Sequence, residues 1–231
     1  MPKEQLEDLE QTLGVTFGNK DTLRQALVHR SYLNEHPDFP LGHNERLEFL
    51  GDAVLELVVT EHLYLNYENP EGELTNWRAA LVNADMLSDL CRLLEIEPYL
   101  HLSRGESKDS DSKARKYILA NAFEAIIGAI YLDKGWDGSK VFIEQRVLSE
   151  LPRVLKERLY IDPKSRFQEA AQEHVNVTPS YKVLSEEGPD HAKRFEVGVY
   201  LGKDLVATGL GTSKHEAQVA AAEAALKEKD W

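Results

Sequence analysis

His43-Asn44-Glu45-Arg46-Leu47-Glu48-Phe49-Leu50-Gly51-Asp52-Ala53-Val54-Leu55 is the stretch from which the first fold is read. From Asn44 to Tyr67, the residues Leu47, Leu50, Val54, Leu57, Val58 and Leu65 recur at three- and four-residue steps, which predicts one long helix. Glu45, Glu48 and Asp52 stand at i, i+3 and i+7, so they share a face of that helix. Three carboxylates on one wall repel one another unless a cation sits among them. Hard divalent cations prefer oxygen ligands, and Mg²⁺ takes a few carboxylates while keeping several waters. An ordinary solvated acidic face would have the same spacing; the apolar residues between these three argue against it.

Working outward, residues 3 to 158 carry a helical pattern nearly throughout. Leu23, Ala26, Leu27 and His29-Arg30 are expected to form one short helix. Asn66 to Gly72 interrupts with Asn, Pro and Gly, and Leu74 to Leu94 resumes the period. Ser103 to Lys116 is polar and reads as a loop or a frayed helix start. Tyr117 to Leu132 is rich in Ala and Ile, which implies burial on most sides. Gly135-Trp136-Asp137-Gly138 is expected to end that helix, with a last one running to about Arg158. Inside the apolar run Leu119–Ala129 sits Glu124, and a lone carboxylate there needs a partner or a metal. Either a buried Arg or a shared cation would satisfy it. Asn121, one turn earlier, can offer an amide oxygen to the same centre.

The period changes after Ile161-Asp162-Pro163, which reads as a domain junction with Pro163 opening a helix to about His174. Pro179 to Ser185, Arg194 to Leu201 and Leu205 to Leu210 read as strands, with Gly202-Lys203-Asp204 as a tight turn. Ser213 to Lys229 is an Ala-rich helix. The expected organisation is an all-α domain over residues 1–158, followed by a small α+β module, α-β-β-β-α, over 161–231.

Composition bounds the function. The 231 residues hold one cysteine, Cys91, which excludes an intramolecular disulfide and suits a reducing compartment. Cys91 lies in a helical stretch and is expected in the core rather than as a catalytic thiol. No apolar run approaches the ~18 residues that span a bilayer, and the opening Met1-Pro2-Lys3-Glu4-Gln5 lacks a signal pattern. A soluble, cytoplasmic protein is expected. The net charge of −13 argues mildly against a nucleic-acid partner. Residues 161–231, with 9 Lys and Arg against 12 Asp and Glu, are acidic too. Any phosphate contact must come from local patches.

The His43–Leu55 run closely resembles the signature of the ribonuclease III family. Gly72-Glu73-Leu74-Thr75 with Arg78, Leu81-Val82-Asn83, Gly105-Glu106 and Ile118 through Asp133 also resemble it, so the likeness covers essentially the whole chain. The resemblance implies an all-α catalytic domain that hydrolyses double-stranded RNA with Mg²⁺, or Mn²⁺ in its place. It implies 5′-phosphate and 3′-hydroxyl ends with short 3′ overhangs, and structured precursors such as rRNA and mRNA as substrates. Glu48, Asp52 and Glu124 match the family's metal-binding carboxylates, and Glu45 matches a signature glutamate nearer the substrate and the dimer interface. Asn121 stands where the family usually has an aspartate, and Ser110-Asp111-Ser112 replaces a usual Ser-Gly-Gly. Phe49 matches the family's interface aromatic, which implies a homodimer; core packing is its other reading.

Residues 161–231 resemble a double-stranded RNA-binding domain, most specifically at Gly188–Phe195 and Gly209–Ala217. Such domains read an A-form duplex by shape, across two minor grooves and the phosphates between. Ser213, Lys214 and His215 open a helix whose N-terminus favours phosphate. Gln168 and Glu169 on the first helix can hydrogen-bond ribose hydroxyls, His191 in a strand-linking loop can reach a minor groove, and Lys193 joins Lys214 as a local basic residue. A plain exposed face, a structural loop histidine and a solvated helix-start Lys214 are the other readings. The family commonly has two adjacent basic residues where this chain has Lys214-His215, and histidine is mostly uncharged near neutral pH. Weaker, more pH-sensitive binding is expected. Arg104, Lys108, Lys113 and Arg115 are expected around the catalytic cleft. The competing reading is a non-catalytic binder of duplex RNA, which Asn121 keeps open.

Overall fold

The computed structural model describes residues 3–108, 112–189 and 193–231. The chain divides into two compact units, one ending at Tyr160 and one spanning Ile161–Trp231.

The first unit is helical. α1 (Lys3–Leu13) turns Leu6, Leu9 and Leu13 into the core. α2 (Lys20–Ala26) is capped by Asn19, and α3 (Arg30–Glu35) by the His29 ring, which accepts from the Ser31 N–H. The single helix expected across Leu23–Arg30 is therefore two. Val28 lies in an isolated parallel bridge with His101: the His29 N–H donates to the His101 carbonyl (3.1 Å), and the His101 N–H to the Leu27 carbonyl (2.9 Å). α4 (Glu45–Asn66) is the long helix of the opening stretch. The period from Leu74 to Leu94 also divides, into α5 (Glu71–Val82) and α6 (Ala84–Leu93). Asn83 is extended at ψ 162° and its side chain accepts from the Met86 N–H, so it ends one helix and caps the next.

α7 (Arg104–Lys108) is a short turn of helix, and α8 (Lys113–Arg146) is capped by Ser112. Gly135, at φ 70° and ψ −165°, breaks the helical path of α8 where the sequence signals a stop. The chain then resumes helix to Arg146, and a 3₁₀ turn and α9 (Leu151–Lys156) follow in place of one helix to Arg158. Leu119, Phe123, Ile126, Ile127 and Ile130 of α8 are buried, so this helix is the central rod of the unit.

α4 crosses α8 at two glycines. A Cβ built on Gly51 would lie 1.8 Å from the Glu124 carbonyl oxygen, and one on Gly128 2.2 Å from the Leu47 carbonyl oxygen. The two backbones touch, and the side chains of both helices beside the crossing are brought face to face. No helix of the described residues is long and apolar enough to cross a membrane.

In the second unit, α10 (Pro163–Val175) is capped by Asp162, with Pro163 in the first turn where its missing N–H costs nothing. β1 (Ser180–Glu187), β2 (Arg194–Leu201) and β3 (Asp204–Gly211) form an antiparallel sheet in that order. Leu201 pairs with Asp204 across the two-residue turn Gly202-Lys203, with Gly202 at φ 63°. α11 (Lys214–Lys229) lays Ala217, Ala221, Ala222 and Ala225 on the sheet, against Val197, Val199 and Phe167. The expected α-β-β-β-α order holds.

Candidate active site

α4 supplies Glu45, Glu48 and Asp52 from its first two turns, and α8 supplies Asn121 and Glu124. The Gly51–Gly128 crossing determines which of them meet, because Glu48 and Asp52 flank Gly51 while Glu124 lies one turn before Gly128.

Electrostatics register the result. Burial, then Asp52, Glu48 and Glu56, push the Glu124 carboxyl up to about 8. Glu48 is raised by burial, then by Glu45 and Asp52, against a smaller lowering from a hydrogen bond with the Asn121 side chain. No hydrogen bond or ion pair satisfies Glu124 among the described residues, so the alternative of a buried Arg partner is set aside. Asp52 and Glu45 are exposed, while Glu48, Asn121 and Glu124 are half-buried. Glu45 acts on Glu48 but is not among the groups that raise Glu124, and it lies 3.5 Å from Arg30 and 3.7 Å from the His43 ring.

As placed, no three His, Cys, Asp or Glu side chains among the described residues converge tightly enough to hold a metal. The donor chemistry fits a hard divalent ion: three carboxylates and one amide on two facing helices, one carboxylate half-buried without a partner among the described residues. A cation there would lower the repulsion, and binding it would displace the proton that Glu124 carries at neutral pH.

The sequence reading missed Glu56. It lies one turn beyond Asp52 on the same face, acts on Glu124, and pairs with Arg78 at 3.2 Å. The i, i+4 spacing from Asp52 was its available signal. Arg115 is buried. Expected at the cleft for RNA, it is 7 % exposed, and its guanidinium donates to Glu97 (2.7 Å) and to the Glu106 carbonyl. It braces the segment before α8 instead. Arg104, Lys108 and Lys113 are exposed. Cys91 is buried, and burial pushes its thiol up to about 12, which suits a core residue and no nucleophile.

Phe49 points away from the core, at 81 % exposure, which excludes its core reading. Leu57 (57 %) and Tyr64 (77 %) follow it along α4 at i+8 and i+15. With Ala53 they make an exposed apolar stripe beside the acidic wall.

In the second unit the Ser213 hydroxyl accepts from the Glu216 N–H and caps α11, leaving Lys214 and His215 exposed in its first turn. The Lys214 ammonium lies 5.7 Å from the Phe195 ring centre. Gln168 and Glu169 are exposed on α10, where they line a shallow groove with Gln172 and Glu173. Lys193 pairs with Glu186 at 2.8 Å. His191, Ser110 and Asp111 lie outside the described residues.

A family model described as ribonuclease-III-like matches residues 19–151, and one described as a double-stranded RNA binding motif matches residues 163–229. A protein named ribonuclease 3 from Borreliella burgdorferi is 43% identical over 226 residues, covering 97% of this chain and 91% of the relative. The ribonuclease 3 of Carboxydothermus hydrogenoformans is 42% identical over 228 residues, covering 98% and 97%. Among solved structures, the nuclease domain of ribonuclease III from Campylobacter jejuni, described for flexibility in a region involved in dimer formation, aligns with a TM-score of 0.55 and 37% identity. That match covers 64% of this chain and 99% of the other. Near-full-length relatives of one name, with family models on both units, establish that the chain belongs to the ribonuclease III family of double-stranded RNA endonucleases.

Proposed function

We propose that residues 1–158 hydrolyse phosphodiester bonds of double-stranded RNA with Mg²⁺, Mn²⁺ serving as a substitute, and that residues 161–231 hold the duplex. The observation that carries this is Glu124, half-buried, without a partner among the described residues and pushed up to about 8 opposite Asp52 and Glu48. Glu48, Asp52, Asn121 and Glu124 are the residues that would hold the ion. When bound, it supplies an activated water and charge stabilisation at the scissile phosphate. The crossing helices bind and orient those ligands, and Glu45, held near Arg30 and His43, faces the approaching strand. The products are 5′-phosphate and 3′-hydroxyl ends with short 3′ overhangs, and structured precursors such as rRNA and mRNA are the substrates, in the cytoplasm. Gln168, Glu169, His191, Lys193, Ser213, Lys214 and His215 are the duplex contacts of the second unit. End-labelled mapping of a cut duplex tests the chemistry; 5′-hydroxyl ends would exclude it.

Asn121 replaces a charge by a neutral carbonyl oxygen. Cation affinity follows ligand charge, so Asn121→Asp is expected to lower the Mg²⁺ concentration for half-maximal cleavage by roughly threefold or more. Equal requirements in a Mg²⁺ titration would remove Asn121 from the ligand set. A wild type that binds without cutting, rescued by Asn121→Asp, would favour the non-catalytic reading.

The α4 stripe is the proposed dimer surface, with Phe49 as its anchor. Two centres then face one duplex. Phe49→Ala is expected to weaken self-association by about 30-fold, the equivalent of a 2 kcal/mol hot spot. Sedimentation of both proteins at micromolar concentration checks it, and equal dimer fractions would contradict it.

A further inference from the structure

α8 continues toward its N-terminus past the acidic site. Positions 117, 121, 124 and 128 fall within about 60° of one another around a helix of 3.6 residues per turn. Gly128 meets α4, Asn121 acts on Glu48, and Glu124 faces Asp52. Tyr117 is the next residue on that face, roughly 6 Å further along the axis. It is 49 % exposed although Ile118 and Leu119, which follow it, are buried. Its hydroxyl makes no hydrogen bond among the described residues. The two cations just before it are already engaged, Arg115 with Glu97 and Lys116 with Asp85.

We infer that Tyr117 is a substrate-positioning residue whose hydroxyl donates to a phosphate oxygen of the RNA strand entering the acidic site. The inference rests on the duplex-cleavage reading above. A phosphate approaching Glu48, Asp52 and Glu124 meets repulsion from the wall itself. A lysine at this position would answer the phosphate, but it would also pair with a carboxylate of the wall and compete with the metal. A phenol is a neutral donor and does neither. Its ring adds an apolar flank for a ribose. An exposed tyrosine without a hydrogen-bond partner among the described residues contributes little to the fold, so its replacement should leave stability unchanged.

The test is steady-state cleavage, in Mg²⁺, of an RNA duplex with one mapped cut site by wild type, Tyr117→Phe and Tyr117→Ala, with melting curves alongside. Losing a hydrogen bond to a charged oxygen is expected to raise KM about tenfold in both variants, with kcat within about twofold and the melting point unchanged. Single methylphosphonates scanned along the strand identify the contact. One position should raise KM for wild type and have no further effect on Tyr117→Phe, as interacting partners require. Wild-type constants in both variants would overturn the inference, and so would full activity of Tyr117→Phe beside a damaged Tyr117→Ala, which would put the contact in the ring. A wild type that does not cut would overturn the nuclease reading and this inference together, whereas a cutting wild type with unaffected variants overturns this inference alone.

Discussion

Glu124→Gln is expected to reduce duplex cleavage by about 10³-fold, in line with the loss of a group that stabilises transition-state charge. It removes a carboxylate that nothing else in the site replaces, whereas Asn121 leaves three in place. Duplex affinity should be retained, because the contacts proposed for binding lie in residues 161–231 and at Tyr117, and Glu124 is not among them. Stability separates this from general damage. The Glu124 carboxyl titrates near 8 in the folded chain, against about 4.3 for an unperturbed glutamate. The folded state therefore holds this proton more tightly, and its stabilising effect is fully present below about pH 4 and lost as pH rises through about 8. Glutamine suffers no such loss. In EDTA, Glu124→Gln should melt above wild type at pH 8.5, with the gap closing toward pH 4. A melting difference independent of pH would mean that Glu124 does not titrate as the site requires.

Gly51→Ala is expected to destabilise the first unit by about 3 kcal/mol, at the upper end of overpacking costs. Its methyl group would meet the backbone at 1.8 Å from the Glu124 carbonyl oxygen and 2.8 Å from the Gly128 nitrogen. Backbone cannot rotate aside as a side chain can, so the helices must separate. Because the same crossing sets Glu48 and Asp52 against Glu124, activity should fall further than stability alone explains. Denaturant unfolding followed at the first unit checks it; a midpoint equal to wild type would show that the helices are not in backbone contact.

The order of elements was legible wherever hydrophobic period and punctuation agreed, as in α4, β2, β3 and α11. It failed at Val28 and Asn83, where a backbone bridge to His101 and a side-chain cap interrupt an unbroken apolar period. Neither interruption carries Gly or Pro, so no local signal marked it. The acidic residues of the site were legible from their spacing and from the oddity of Glu124 in an apolar run. Their meeting was not, because it depends on two glycines 77 positions apart that act through close approach. Arg115 misled because a cation near a proposed cleft is read as a phosphate contact, and only its burial against Glu97 assigns it elsewhere.

The most direct test is incubation of the full chain with a long, internally labelled RNA duplex in Mg²⁺, beside an EDTA control and a single-stranded RNA of the same sequence. Short duplex products are expected in Mg²⁺, none in EDTA, and no comparable cutting of the single strand. A retarded duplex that stays intact in Mg²⁺ would contradict the duplex-cleavage reading.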